Sequence, residues 1–234
     1  MWLFSSPTNY NEMVEKISKS LFVIVAVLLY ALTCINDDFN QTLRALSFGA
    51  EYEIFGLKLN LALLYFPLLM GMFEHMFKLH DLLSDLFKIR KRYDKTIIVS
   101  TIIKKAQYDY QISELDDKKV NIIMSKCFYE YASSTNPKID THSISLALNE
   151  WCWFWILLDT LLAVVITGIV FLFLNWAWVN LLFLIICILI VLMFMFFVMI
   201  FIKKYTDQEI TAIFSDDNRV NQIRENIGHA LSDE

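Results

Sequence analysis

LKLNLALLYFPLLMGMFEHMFKLHDLLSDLFKIRKRYD, residues Leu57 to Asp94, is the stretch around which the rest of the chain can be read. Its first half, to about Leu79, is almost wholly apolar. At ~1.5 Å per residue it is long enough to cross a ~30 Å hydrocarbon layer. Its second half turns charged but keeps Leu79, Leu82, Leu83, Leu86 and Phe87 at the three-and-four spacing of an amphipathic helix. It closes on the basic cluster Lys88, Arg90, Lys91 and Arg92. The pattern predicts one rod that leaves the membrane and continues into the cytoplasm, where its stripe, without lipid beside it, must pack on protein. Pro67 and Gly71, within the apolar half, mark a kink or a close helix contact.

Working outward, the 234 residues are 57% hydrophobic and 19% charged. A soluble domain sits nearer half apolar and a quarter charged, and here the excess lies in blocks, as membrane spans do. The scarcity of Gly (5) and Pro (3) favours long helices over a β-barrel. The blocks predict an all-α membrane protein with four transmembrane helices, at about 17–35, 57–79, 151–174 and 179–202, and helical cytoplasmic extensions of spans 2 and 3. Residues 1–79 then hold a leader, read as uncleaved, and the first span pair. Residues 80–150 form a cytoplasmic helical subdomain, 151–204 the second pair, and 205–234 an acidic cytoplasmic tail.

The loop between spans one and two has a short helical pattern on Leu43, Leu46 and Phe48, and a hairpin pattern over Glu51–Leu59. Trp151, Trp153 and Trp155 form an interfacial belt at the start of span three. Asn175-Trp176-Ala177-Trp178 reads as a tight turn, and Lys203-Lys204 stops span four. Of the twenty basic residues, only Arg44 and Lys58 fall in the two outer segments. That asymmetry places both termini and the middle region on the cytoplasmic side of the membrane.

In the middle region, Ile97, Ile98, Ile102, Ile103 and Ala106 suit a helix, with a strand as the alternative because the run is β-branched. Val120, Ile123, Met124, Cys127, Phe128 and Tyr131 form an amphipathic helix that begins near Asp116-Asp117. Asp140 or Thr141 caps a helix running into span three. In the tail, Thr206-x-x-Glu209 has the form of a capping box, and Val220, Ile223, Ile227 and Leu231 form a narrow seam that predicts a partner surface or self-association.

No nucleophile–base pair, phosphate loop or cysteine motif is present in a sensible context, so no enzyme activity and no cofactor are expected. His75 and His80, five apart, do not share a helix face, so no helical zinc pair and no metal are expected. Asp159 is the acidic residue well inside a span. An isolated carboxylate in hydrocarbon is costly, so it should face protein or water. Glu74 and His75 approach the same leaflet, which predicts a His75–Asp159 contact and a gate or ion pathway, against the plainer reading of a buried interhelical hydrogen bond. Conduction by four apolar spans needs several subunits, a homo-oligomer with a tetramer as the working number. Thr33, Asn60, Thr160 and Thr167 are then further candidates for the shared axis. Lys88, Arg90, Lys91, Arg92, Lys95, Lys104 and Lys105 meet lipid headgroups, or hold the phosphates of a nucleotide or oligonucleotide.

Phe55-Gly56-Leu57, Pro67-Leu68-Leu69, Phe77-Lys78-Leu79-His80-Asp81-Leu82-Leu83 and Ile89-Arg90-Lys91-Arg92-Tyr93-Asp94 together resemble small membrane proteins of bacterial antiviral defence operons. The segment is similar to the membrane effector of the Hailong system, and secondly to the four-span Kiwa membrane subunit. The resemblance implies an oligomeric channel held shut by a DNA oligomer, whose opening depolarises the membrane. It makes Lys88, Arg90, Lys91, Arg92, Lys104 and Lys105 candidates for that contact, and a cytoplasmic protein of the same operon a candidate partner. The rival expectation is a non-conducting membrane scaffold that recruits such a partner.

Overall fold

The computed structural model describes residues 5–46, 51–54, 57–174 and 178–232. From the N-terminus the elements are α1 (Tyr10–Ile35), α2 (Asp37–Leu46), a hairpin of β1 (Glu51–Ile54) and β2 (Leu57–Asn60), and α3 (Ala62–Phe77). There follow α4 (Leu79–Phe87), α5 (Ile89–Tyr93), α6 (Ser100–Lys105), α7 (Asp117–Ile123), α8 (Thr141–Leu174), α9 (Trp178–Ile213) and α10 (Asp217–Ser232). A π-helical turn, Asp94–Val99, joins α5 to α6, and a second, Met124–Tyr129, extends α7.

Among the described residues, three helices are long and apolar enough to cross a membrane: Tyr10–Ile35, Thr141–Ile169 and Leu181–Ile213. The protein is an α-helical, membrane-embedded protein. The chain divides into two compact units. One comprises Met1–Ser5, Asn11–His80 and Cys152–Val198; the other comprises Ser6–Tyr10, Asp81–Trp151 and Met199–Glu234.

In the first unit, Leu28 and Leu32 of α1, Phe39 and Leu43 of α2, Ala62 and Leu63 of α3, Val164 of α8 and Leu184 of α9 share one core. The Asn36 side chain starts α2 by accepting the Phe39 N–H at 3.0 Å. Gly71 marks the close contact expected of it: a Cβ there would lie 3.1 Å from the Ser18 carbonyl oxygen of α1. The apolar stretch of α9 is only 11% buried, and Leu189, Phe196 and Phe197 stand well exposed, as a lipid-facing helix requires.

The 57–79 rod does not form as one piece. Leu57–Asn60 pairs with Glu51–Ile54 as an antiparallel hairpin, with Glu51 opposite Asn60. The Asn60 side chain then accepts the Ala62 N–H at 2.9 Å and turns the chain into α3. The 16 residues of α3 span ~24 Å, short of a ~30 Å core, which is why three helices and not four meet the length requirement. The rod breaks again at Lys78 (φ 47°) and Lys88 (φ 53°), both left-handed. The Lys78 N–H closes α3 on the Glu74 carbonyl at 2.8 Å. A non-glycine residue there costs ~1–2 kcal/mol. Lys78→Gly is therefore expected to keep the fold and gain up to ~1 kcal/mol, while Lys78→Val loses stability; thermal unfolding in detergent reads both. The break also re-aims the apolar stripe. Leu83 is buried, while Leu82, Leu86 and Phe87 are 62%, 69% and 56% exposed, so the chain's own residues cover only part of the stripe.

In the second unit the isoleucine run is helical, with Ile98, Val99, Ile102, Ile103 and Ala106 buried. Asp116 caps α7 by accepting the Lys119 N–H at 2.7 Å, and Asp140 accepts the His142 and Ser143 N–H groups at 3.3 Å to start α8. The tail seam is real but already covered. Ile223 and Ile227 are fully buried, and α10 packs on α7 and its π turn. The Tyr131 hydroxyl donates to the Gln222 side chain at 3.1 Å, and the Tyr108 hydroxyl to the Arg224 carbonyl at 2.8 Å. The partner surface expected of the seam is this chain's own middle region.

Lys203-Lys204 ends the apolar stretch but not the helix, because lysine is a good helix former. α9 runs on to Ile213, so Thr206 and Glu209 lie mid-helix and are no capping box. Both are buried, on one face with Ile202, Ile210 and Ile213, and the Tyr93 hydroxyl donates to Thr206 Oγ1 at 3.0 Å. Burial pushes the Glu209 carboxyl up to about 8. A carboxyl raised in the folded state favours folding fully below its unfolded value, near 4.5. That contribution is lost as pH rises towards 8. Glu209→Gln is expected to flatten this slope and to unfold at higher temperature than the parent at pH 8. An unchanged pH profile of melting would contradict it.

The Asn175-Trp176-Ala177 turn, Phe48, and Phe55-Gly56 lie outside the described residues.

Candidate functional site: a buried carboxylate–histidine cluster

Glu74 stands on the last turn of α3, His80 on the first turn of α4, and Asp159 within the apolar part of α8. All three are 0% exposed. Six residues along a straight helix would leave Glu74 and His80 ~120° apart around its axis. The left-handed Lys78 between them turns the chain back, and His80 Nδ1 meets Glu74 Oε1. α8 brings in Asp159, and one donor atom from each of the three residues lies within 4.8 Å of the others. Trp155, one turn before Asp159, sets its ring 5.9 Å from the imidazole and covers the cluster with apolar surface.

Glu74 Oε2 and both carboxylate oxygens of Asp159 meet no N–H or hydroxyl donor among the described residues, and the two carboxyls face each other. A buried polar group left unpaired costs ~1–3 kcal/mol, and an unpaired charge more. Two carboxyls and an imidazole sharing one dry site must therefore hold protons or a cation between them. They also bring together three O and N donor groups for a divalent ion, which leave a fourth position to a second carboxylate oxygen or a water.

The expected Glu74–Asp159 proximity is present. The expected His75–Asp159 contact is not. His75 is exposed, since on α3 it points ~100° away from Glu74, and His80 takes its place. No sequence signal marks His80, because its position depends on a left-handed lysine. The other axis candidates have local partners. Thr33, Thr160 and Thr167 donate to carbonyls of their own helices at 2.7 Å, and Asn60 Oδ1 accepts the Ala62 N–H while its Nδ2 is buried without an acceptor among the described residues.

Four of the seven basic candidates are engaged within the second unit. Arg90 donates to the Tyr129 hydroxyl at 3.0 Å, Lys91 pairs with Asp117, Lys95 donates to the Leu115 carbonyl, and Lys105 donates to Thr211 Oγ1 at 2.8 Å. Lys88, Arg92 and Lys104 are exposed.

Residues 9–227 match the model of the YmfE protein family. The chain belongs to this family. The match includes Glu74, His80 and Asp159, so the cluster lies inside the family's domain. Among curated proteins the chain is similar to "Uncharacterized protein YmfE" of Escherichia coli (strain K12). The two are 23% identical over 181 residues, which cover 73% of each chain. No solved structure matches.

Proposed function

We propose that this YmfE-family protein is a multi-pass inner-membrane effector that conducts ions as a gated homo-oligomer. Counting α3 as a short fourth span, both termini and the second unit lie in the cytoplasm, as the distribution of basic residues favours. In the setting implied by the resemblance to antiviral membrane effectors, opening depolarises the cell's own membrane during infection. The observation that carries this reading is the Asp159–Glu74 pair, two dry carboxyls with unpartnered oxygens in apolar helices, where ionisable groups are rare and mark function. The exposed apolar faces of α3 (Leu68, Met72, Phe73, Met76) and α9 leave room for further copies as well as lipid.

The test is a membrane-potential dye on cells expressing the chain. Depolarisation by the parent, lost in Glu74→Gln at equal membrane abundance, supports conduction. Polarised cells, with a soluble partner recovered stoichiometrically, favour the scaffold reading. The docked α10 already weighs against that reading, because it removes the tail seam as a recruiting surface. Lys88, Arg92 and Lys104 remain the residues for a phosphate-bearing ligand, since Arg90, Lys91, Lys95 and Lys105 have protein partners.

A further inference from the structure

We infer that Glu74, His80 and Asp159 bind one divalent transition-metal ion of the zinc class. The donors come from three helices. In a tetrahedral site with metal–ligand distances of ~2.0–2.2 Å, donor atoms stand roughly 3.3–3.6 Å apart. Donors already within 4.8 Å of one another reach that spacing by side-chain rotation, without moving a helix.

The oxygens without partners are those a metal would use. Asp159 offers both of its oxygens and Glu74 its second, all buried and gathered on one point. Charge favours the same occupant: two carboxylates with a neutral imidazole carry −2, so a divalent ion makes the assembly neutral, the form a dry site tolerates. Donor softness narrows the ion. An imidazole beside two carboxylates suits zinc, manganese or ferrous iron better than magnesium or calcium, and no thiol belongs to the set, which disfavours cuprous copper. Zinc stands above manganese and ferrous iron in affinity for such donors.

The role that follows is a clasp. α3 and α4 separate at the left-handed Lys78, and an ion held by Glu74 and His80 spans that break while Asp159 ties both to α8. The inference does not depend on conduction, because the clasp would hold the ion whether or not others pass.

The chain has four histidines, and His75, His142 and His229 are exposed. Replacing those three with alanine leaves His80 as the sole imidazole. The full-length triple variant, purified in detergent, is stripped with EDTA, given Zn²⁺ alone and passed through gel filtration. One retained zinc per chain is expected, with imidazole scattering in the zinc X-ray absorption spectrum. Glu74→Gln and Asp159→Asn on that background are each expected to lose the ion. No retained zinc, zinc without imidazole scattering, displacement by equimolar Mg²⁺, or retention unchanged in a folded Asp159→Asn would each overturn the site and leave a proton-sharing acid pair. If the substituted proteins fail to fold, the spectrum of the triple variant decides alone. Zinc retention without depolarisation in cells would sink the channel and keep the site, and the converse would sink the site alone.

Discussion

Asp159→Leu is expected to raise the unfolding temperature of the metal-free protein in detergent while abolishing depolarisation in cells. Asp159 is 0% exposed and its oxygens meet no N–H or hydroxyl donor, only the carboxyl of Glu74, whereas Glu74 keeps His80 when Asp159 is removed. Replacing an unsatisfied buried polar group by an apolar one of similar size recovers ~1–3 kcal/mol. For a chain of this length each kcal/mol shifts the transition by roughly 2–4 °C, so a gain of several degrees is expected. The two effects have one cause: a group kept at a cost to stability is kept for what it does. A lower unfolding temperature in EDTA would show that the carboxylate is held by contacts that stabilise the fold. Undiminished depolarisation would remove Asp159 from the conducting machinery.

Ile227→Asp is expected to release the tail. Ile227 and Ile223 are fully buried, and α10 meets α7 and its π turn through them. A carboxylate placed there is buried in an apolar seam, and an uncompensated buried charge costs about 3–5 kcal/mol. A 16-residue helix is marginal alone, so undocking melts it. Limited proteolysis should then cut within 217–232 under conditions that leave the parent intact. Glu225→Gln, two residues away on the exposed side of the helix, should stay within ~0.5 kcal/mol of the parent. Continued protection of the tail in Ile227→Asp would mean that the seam contributes little to docking.

Much of the architecture is visible in residue patterns. The apolar blocks give α1, α8 and α9, and an Asp in the right place starts both α7 and α8. Asp159 stands out as a carboxylate among apolar neighbours, and Glu74 lies in register to meet it. These features are local, or depend on hydrophobic periodicity, so a linear reading reaches them. The positions of Lys78 and Lys88 are of another kind. Lysine has no preference for left-handed backbone, and neither residue is marked by a neighbouring glycine or proline. The ~1–2 kcal/mol that each costs is outweighed only after chain segments have packed. From Lys78 follow the breaking of the rod, the exposure of Leu82, Leu86 and Phe87, and the exchange of His75 for His80.

The pattern of apolar and charged residues by itself determined that this is a helical membrane protein, and that its costly buried carboxyls lie on what become α3 and α8. Tertiary structure alone decided which histidine joins them and where the tail seam docks. Both outcomes depend on burial shared among segments distant in sequence, which can outweigh a local backbone penalty that no single stretch would accept on its own.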